Sequence, residues 1–194
     1  MMSHPPMREE HASDWRSARA EVWHAGPPSS EIRFRLRHMV VTEITGRAAR
    51  WRADLSLDFE QPGRSRVEVV VDAGSLETGA VERDNHVRSA EFLEIQRFPE
   101  MRFRSRDIRG AGAGRFEIVG DLTIRGITRE ATLIAVARSP LPGPTPAAPV
   151  SFSAHMTVRR QDFGLRWNQD FDAGGVVVGD NIDVEINLQA TRST

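Results

Sequence analysis

In a series of segments between Ile32 and Leu188, apolar side chains return at every second residue, mostly with charged or polar residues in between. Ile32, Phe34 and Leu36 alternate with Arg33, Arg35 and Arg37, and Leu55, Leu57 and Phe59 with Ser56, Asp58 and Glu60. Val67, Val69 and Val71 share parity, as do Met101, Phe103 and Ser105 against Arg102, Arg104 and Arg106. The same holds for Phe116, Ile118, Leu122 and Ile124, for Phe152 to Val158, and for Ile182 to Leu188. A period of two puts all the apolar groups of a segment on one face of an extended chain, the signature of a half-buried strand. Strands of this kind belong in an antiparallel barrel or sandwich with one face in water. The pattern predicts about eight or nine of them, and a closed barrel of about eight strands is either filled by its side chains or holds one elongated guest.

The breaks between strands are legible too. Gln61-Pro62-Gly63, Gly110–Gly114, Arg125-Gly126-Ile127-Thr128, the proline-rich stretch 140–149 and Asp172–Gly175 read as turns or loops, and Ile44–Gly46 is expected to turn the chain. Gly120, inside a strand pattern, marks a bulge or a close backbone approach. One segment departs from the period of two. Arg83–Leu93 is expected to be a short helix capped by the Asp84 carboxylate and stopped by Pro99.

Composition narrows the class. The 194 residues suit one domain with a sizeable core, and 39% hydrophobic with 27% charged residues describe an ordered globular chain. A net charge of −1 supplies no bulk attraction for nucleic acid, which is not expected as a partner. All 26 basic residues are arginine, a bias we read as codon usage before function. Without cysteine there is neither a disulfide nor thiolate chemistry. No stretch approaches the roughly 20 apolar residues of a membrane-spanning helix. Residues 1–14 lack the apolar run of a secretory signal, so a cytoplasmic protein is expected. Residues 1–28 are expected to be disordered or loosely attached and 29–191 to form the barrel, with Trp15–His24 a short helix or first strand ended by Gly26-Pro27-Pro28.

Chemistry-bearing groups are sparse. His38, His86 and His155 are the candidates for a metal site, but no two stand at ligand spacing, and neither metal nor cofactor is expected. Asp84 and His86 would serve as an acid–base pair, although Asp84 is better explained as a cap. Asp162-Phe163-Gly164 matches a kinase tripeptide without the motifs that would give it meaning. The arginines at 33, 35 and 37 and at 102, 104 and 106 form outward stripes, either a solvated surface or an attraction for phosphate.

A resemblance lies in the order of several short motifs. Ser75-Leu76-Glu77-Thr78-Gly79, Arg83-Asp84-Asn85-His86, Ser89-Ala90-Glu91-Phe92 and Phe98-Pro99-Glu100-Met101-Arg102-Phe103 are followed by Gly120-Asp121-Leu122-Thr123-Ile124-Arg125-Gly126-Ile127-Thr128. Arg160-Gln161-Asp162-Phe163-Gly164-Leu165 and Val178-Gly179-Asp180-Asn181-Ile182 complete the series. Together they resemble the YceI family, over about Glu31 to Ala190. The resemblance implies an all-β, lipocalin-like antiparallel barrel with a short helical insert, often dimeric, whose apolar cavity holds a polyisoprenoid or similar amphiphilic lipid. Many members are periplasmic, which the reading of the N-terminus here does not match.

On that basis Phe34, Leu36, Val69, Val71, Phe103, Ile118 and Ile186 are expected to line the cavity, with Phe92 and Phe98 near a lid. The same side chains would equally fill a solid core. Two functions of different class follow: non-enzymatic carriage or sequestration of a long-chain apolar lipid, or a small barrel enzyme using His38, Asp84 or His86 to move protons. A collapsed barrel with no guest is the third possibility.

Overall fold

The structure, a computed structural model, describes residues 21–38, 42–138, 149–166 and 178–193. Its strands are β1 (Glu21–Ala25), β2 (Glu31–His38), β3 (Thr42–Ala48), β4 (Trp51–Leu57), β5 (Arg66–Asp72), β6 (Leu76–Glu77), β7 (Glu100–Gly110), β8 (Arg115–Ile124), β9 (Ile127–Ala137), β10 (Val150–Arg159) and β11 (Val178–Arg192). One α-helix, α1, spans Val81–Arg88.

All pairings are antiparallel, and β1 pairs with both β4 and β11, so the sheet closes on itself. The result is a barrel of eight staves. β1 and β2 form one broken stave and β3 and β4 another. Where the first stave breaks, Ser30 Oγ accepts from the Gln189 amide at 2.9 Å and stands in for a ladder partner. The barrel therefore starts before the expected residue 29. Trp23 of β1 is fully buried, 6.2 Å edge-on from Phe59, and that apolar anchor holds β1 in the wall. Residues 1–20, 139–148 and 167–177, with the loops expected there, lie outside the described residues.

The period of two decides what faces inward. Val67 and Val69, Phe103, Ile118 and Leu122, Met156 and Val158, and Ile186 are all buried members of one core. In β7 the parity changes. Ser105 pairs with Gly120 and Asp107 with Val119, leaving Arg106 as the extra residue of a bulge, after which Ile108 takes the inward position. A Cβ on Gly120 would lie 2.4 Å from the Arg104 carbonyl oxygen and 2.8 Å from the Phe103 ring, so the bulge and the close approach coincide there. Gly120→Ala is expected to cost about 1–3 kcal/mol, the usual price of overpacking against backbone, measured by urea unfolding. A loss within about 0.3 kcal/mol would show that the approach relaxes freely.

Ile44–Gly46, expected as a turn, is instead the interior of β3, with Ile44 buried. The glycine is required for another reason: a Cβ on Gly46 would fall 2.3 Å from the Phe34 ring that lies across it.

Outside the barrel the arginine stripes meet carboxylates on their own and on neighbouring strands. Arg102 and Arg104 share Glu68 Oε1 at 2.7 and 3.0 Å. Arg106 pairs with Asp121 and Glu130, Arg33 with Glu31, and Arg35 with Glu185. Burial alone would push the Glu68 carboxyl up, but its hydrogen bonds to Arg104 and Arg102 and their charge hold it below the ordinary glutamate value. These stripes are ion-pair ladders on a solvated face, and all of these pairs are cross-strand except Arg33–Glu31 within β2.

Candidate ligand cavity

The β5 stave stops at Asp72, well short of the length of its neighbours, and β6 pairs only with Arg47 and Ala48 of β3. Residues 73–99 fill the wall that β5 leaves open. Short braces fasten them. Ser75 Oγ accepts from the Arg50 amide and donates to the Asp72 carbonyl, while the Arg88 guanidinium donates to the carbonyls of Gly74 and Leu76 at 2.9 and 3.0 Å. Asp84 is 8% exposed and accepts from both the amide and the hydroxyl of Thr78. Arg83 donates to the same Thr78 through its hydroxyl, 2.7 Å, and its carbonyl, 2.9 Å. The helix is thus Val81–Arg88, shorter and earlier than the expected 83–93, because Ala80 is the N-cap residue. Asp84 is not the cap; it sits one turn inside and reaches back to Thr78, which precedes the helix.

Beneath this insert the barrel is hollow. A cavity of about 500 Å³ runs down from it, inside the roughly 300–1,000 Å³ typical of ligand pockets. Its wall is apolar except at Thr78, Glu82, Arg83, His86 and Arg102. A smaller chamber of about 80 Å³ lies toward the base among Trp51, Phe59, Phe116, Phe152 and Leu188. The two spaces share Val69, Leu133 and Ile186, so the small chamber adjoins the large one at these residues.

Of the residues expected to line a cavity, Phe34, Leu36, Val69, Val71, Phe92, Phe103 and Ile186 border the large space. Ile118 borders the small one. Phe98 borders neither: its ring packs over Gly126 and under the Arg97 guanidinium, 5.0 Å away, and joins the insert to the β8–β9 hairpin. Met101, Leu122, Ile124, Met156, Ile182 and Val184 also line the space, and their parity with Phe103, Ile118, Val158 and Ile186 on their own strands was the available signal. Leu93 (3% exposed) and Leu165 line it from non-strand segments, where parity is silent.

Two arginines hold the mouth together. Arg125, at φ 50° in the hairpin turn, donates to the Gly164 carbonyl at 3.2 Å, to the Ala90 carbonyl at 3.2 Å and to Glu94 at 3.3 Å. Arg160, 1% exposed, donates to the carbonyls of Gly179, Leu165 and Val178 at 3.0, 2.6 and 3.0 Å and stands 3.3 Å from Asp180. Burial lowers its pKa, and the Asp180 charge partly offsets this.

The histidines are dispersed. His86 lies at the mouth, Nε2 3.1 Å from Glu91 and edge-on to Phe92. His155 is exposed on the outer side of β10, opposite Glu185. The His38 side chain lies outside the described residues. Among the described residues no three His, Asp or Glu side chains gather as a metal-binding group, and no helix is long and apolar enough to cross a membrane.

Comparison with known proteins follows the same outline. The model of the YceI-like domain matches residues 23–190. A protein of Staphylococcus epidermidis, UPF0312 protein SERP2314, is 27% identical over 164 residues, covering 82% of this chain and 91% of its own. UPF0312 protein Ent638_1570 of Enterobacter sp. is 31% identical, covering 69% of each chain. Among solved structures, Burkholderia cenocepacia BcnA superposes with a TM-score of 0.73 at 18% identity, covering 84% of this chain and 96% of its own. A polyisoprenoid binding domain from Saccharophagus degradans, implicated in plant cell wall breakdown, superposes with a TM-score of 0.67 at 14% identity, covering 88% and 98%.

Proposed function

The chain belongs to the YceI family, and from that premise and its cavity we propose that it binds, and carries or sequesters, a lipid with a polyisoprenoid or similar apolar tail, without catalysis. The observation that carries this reading is the long apolar hollow with polar groups gathered at one end. An alkyl or prenyl tail gains about 0.8 kcal/mol for each methylene-sized unit removed from water, less the cost of ordering tail and protein. Two adjoining apolar chambers suit an elongated tail, and the polar rim keeps a head group at the surface. The Saccharophagus neighbour's description as a polyisoprenoid binding domain supports the same class of guest.

Two of the three groups considered for catalysis have structural employment; the third, the His38 side chain, lies outside the described residues. Asp84 braces Thr78, and His86 stands against Glu91. Native mass spectrometry of protein purified without detergent is expected to show a co-purified lipid mass, or stoichiometric uptake of added farnesol. Chemical change of the added lipid, or failure of any apolar probe to bind, would overturn the proposal.

A further inference from the structure

Resting on the reading that the cavity takes a lipid tail, we infer that it selects a neutral head group, an alcohol or a carbonyl, and rejects lipids headed by phosphate. The polar residues of the wall are Thr78, Glu82, Arg83, His86 and Arg102, and four of the five lie within 78–86. Among the described residues of the wall, a polar head group finds its partners there. A phosphate head carries about −1.5 to −2 charge at neutral pH and needs cations free to face it.

The cations at this rim are already committed. Arg83 is turned onto Thr78. Arg102 lies between Glu68 at 2.7 Å and Glu100 at 2.9 Å, and the hydrogen bond to Glu100, with that to Glu68, raises its pKa against the effect of burial. Arg104 shares Glu68. The first turn of α1, whose exposed amides would otherwise favour an anion, carries Glu82 and Asp84. Glu68, Glu82, Asp84 and Glu100 thus stand against Arg83, Arg102 and Arg104. Arg88, on the side of α1 that faces the outer groove, brings the count only to balance, and its guanidinium is held by two carbonyls. His86 likewise stands beside a carboxylate, with Glu91 3.1 Å from its ring nitrogen. A diphosphate docking here would lose hydration without gaining a counter-charge. An alcohol needs only an acceptor, which the carboxylate of Glu82 supplies, and a carbonyl only a donor.

The test compares farnesol with farnesyl diphosphate, which share one tail, by calorimetry at neutral pH and low salt. Farnesol is expected to bind, with the diphosphate at least about tenfold weaker, the scale of one partly solvated charge pair. In Glu82→Arg, at an exposed position, the affinity ratio is expected to move about tenfold toward the diphosphate, and added salt to shrink that movement. Equal or tighter binding of the diphosphate to the native protein, or a ratio unmoved by Glu82→Arg, overturns the inference while leaving lipid binding intact. If neither compound binds, the lipid reading beneath it fails as well.

Discussion

Val71→Asp is expected to abolish uptake of prenyl lipid, lowering affinity by at least about 100-fold, while the barrel stays folded. Val71 is half-buried, borders the large cavity near its mouth, and pairs with Trp51 and Met101 across the wall. A carboxylate at that point faces aliphatic side chains, and a tail beside it would strip its remaining water. The nearest relief is protonation, because desolvation raises a carboxyl's pKa. Uptake should therefore recover in part as pH falls through that raised value. Circular dichroism supplies the folding control, and Thr45→Asp, which puts the same charge on the outer face of β3, should bind as the native protein does. Native-like uptake by Val71→Asp would remove this wall from the binding site.

Arg160→Met is expected to be the most damaging single change to stability, costing about 3–5 kcal/mol and lowering Tm on the order of 10 °C. The guanidinium is buried and satisfies carbonyls of Gly179, Leu165 and Val178. Methionine fills the space but donates nothing, so those acceptors lose their partners in a place water does not reach. Lysine has three donors on one compact head and cannot reproduce the planar fork, so Arg160→Lys should restore less than half of the loss. Denaturant unfolding decides it, and a cost for Arg160→Met below about 1 kcal/mol would mean that water takes over the carbonyls. The result bears on function because the bracket positions Leu165, which lines the cavity.

The sequence was most informative where one physical rule acts alone. Phe34, Leu36, Val69, Val71, Phe103 and Ile186 border the cavity because a strand's parity sends them inward whatever else the chain does. The rule failed where a second effect intervened. Gly46 carries the usual mark of a turn, but in this barrel it makes room for the Phe34 ring, a contact between residues on neighbouring strands. Phe98 belongs to the insert, where no period exists to orient it, and it settled on the hairpin glycine. Asp84 had the residue type of a cap, yet its register was set by Thr78. The motifs that carry the family resemblance proved to be largely fastenings: Ser75, Thr78, Arg83, Asp84, Arg125 and Arg160 each satisfy backbone or bridge segments around the mouth. Whether the interior was hollow or solid could not be read from alternation, since both cases use the same side chains.

The pairing of β11 with both β1 and β2 has a consequence for biosynthesis. β1 and β2 find their second hydrogen-bonding neighbour only when the fifteen-residue strand β11 has been made. Until then β2 has β3 on one side and a bare row of amides and carbonyls on the other. Local hairpins such as β7–β8 and β8–β9 can assemble as they emerge, but the long-range closure must wait until β11 has been made. Until β11 emerges, the strands form an open sheet with a bare edge, the interval in which a chaperone or a ready guest would do the chain most good.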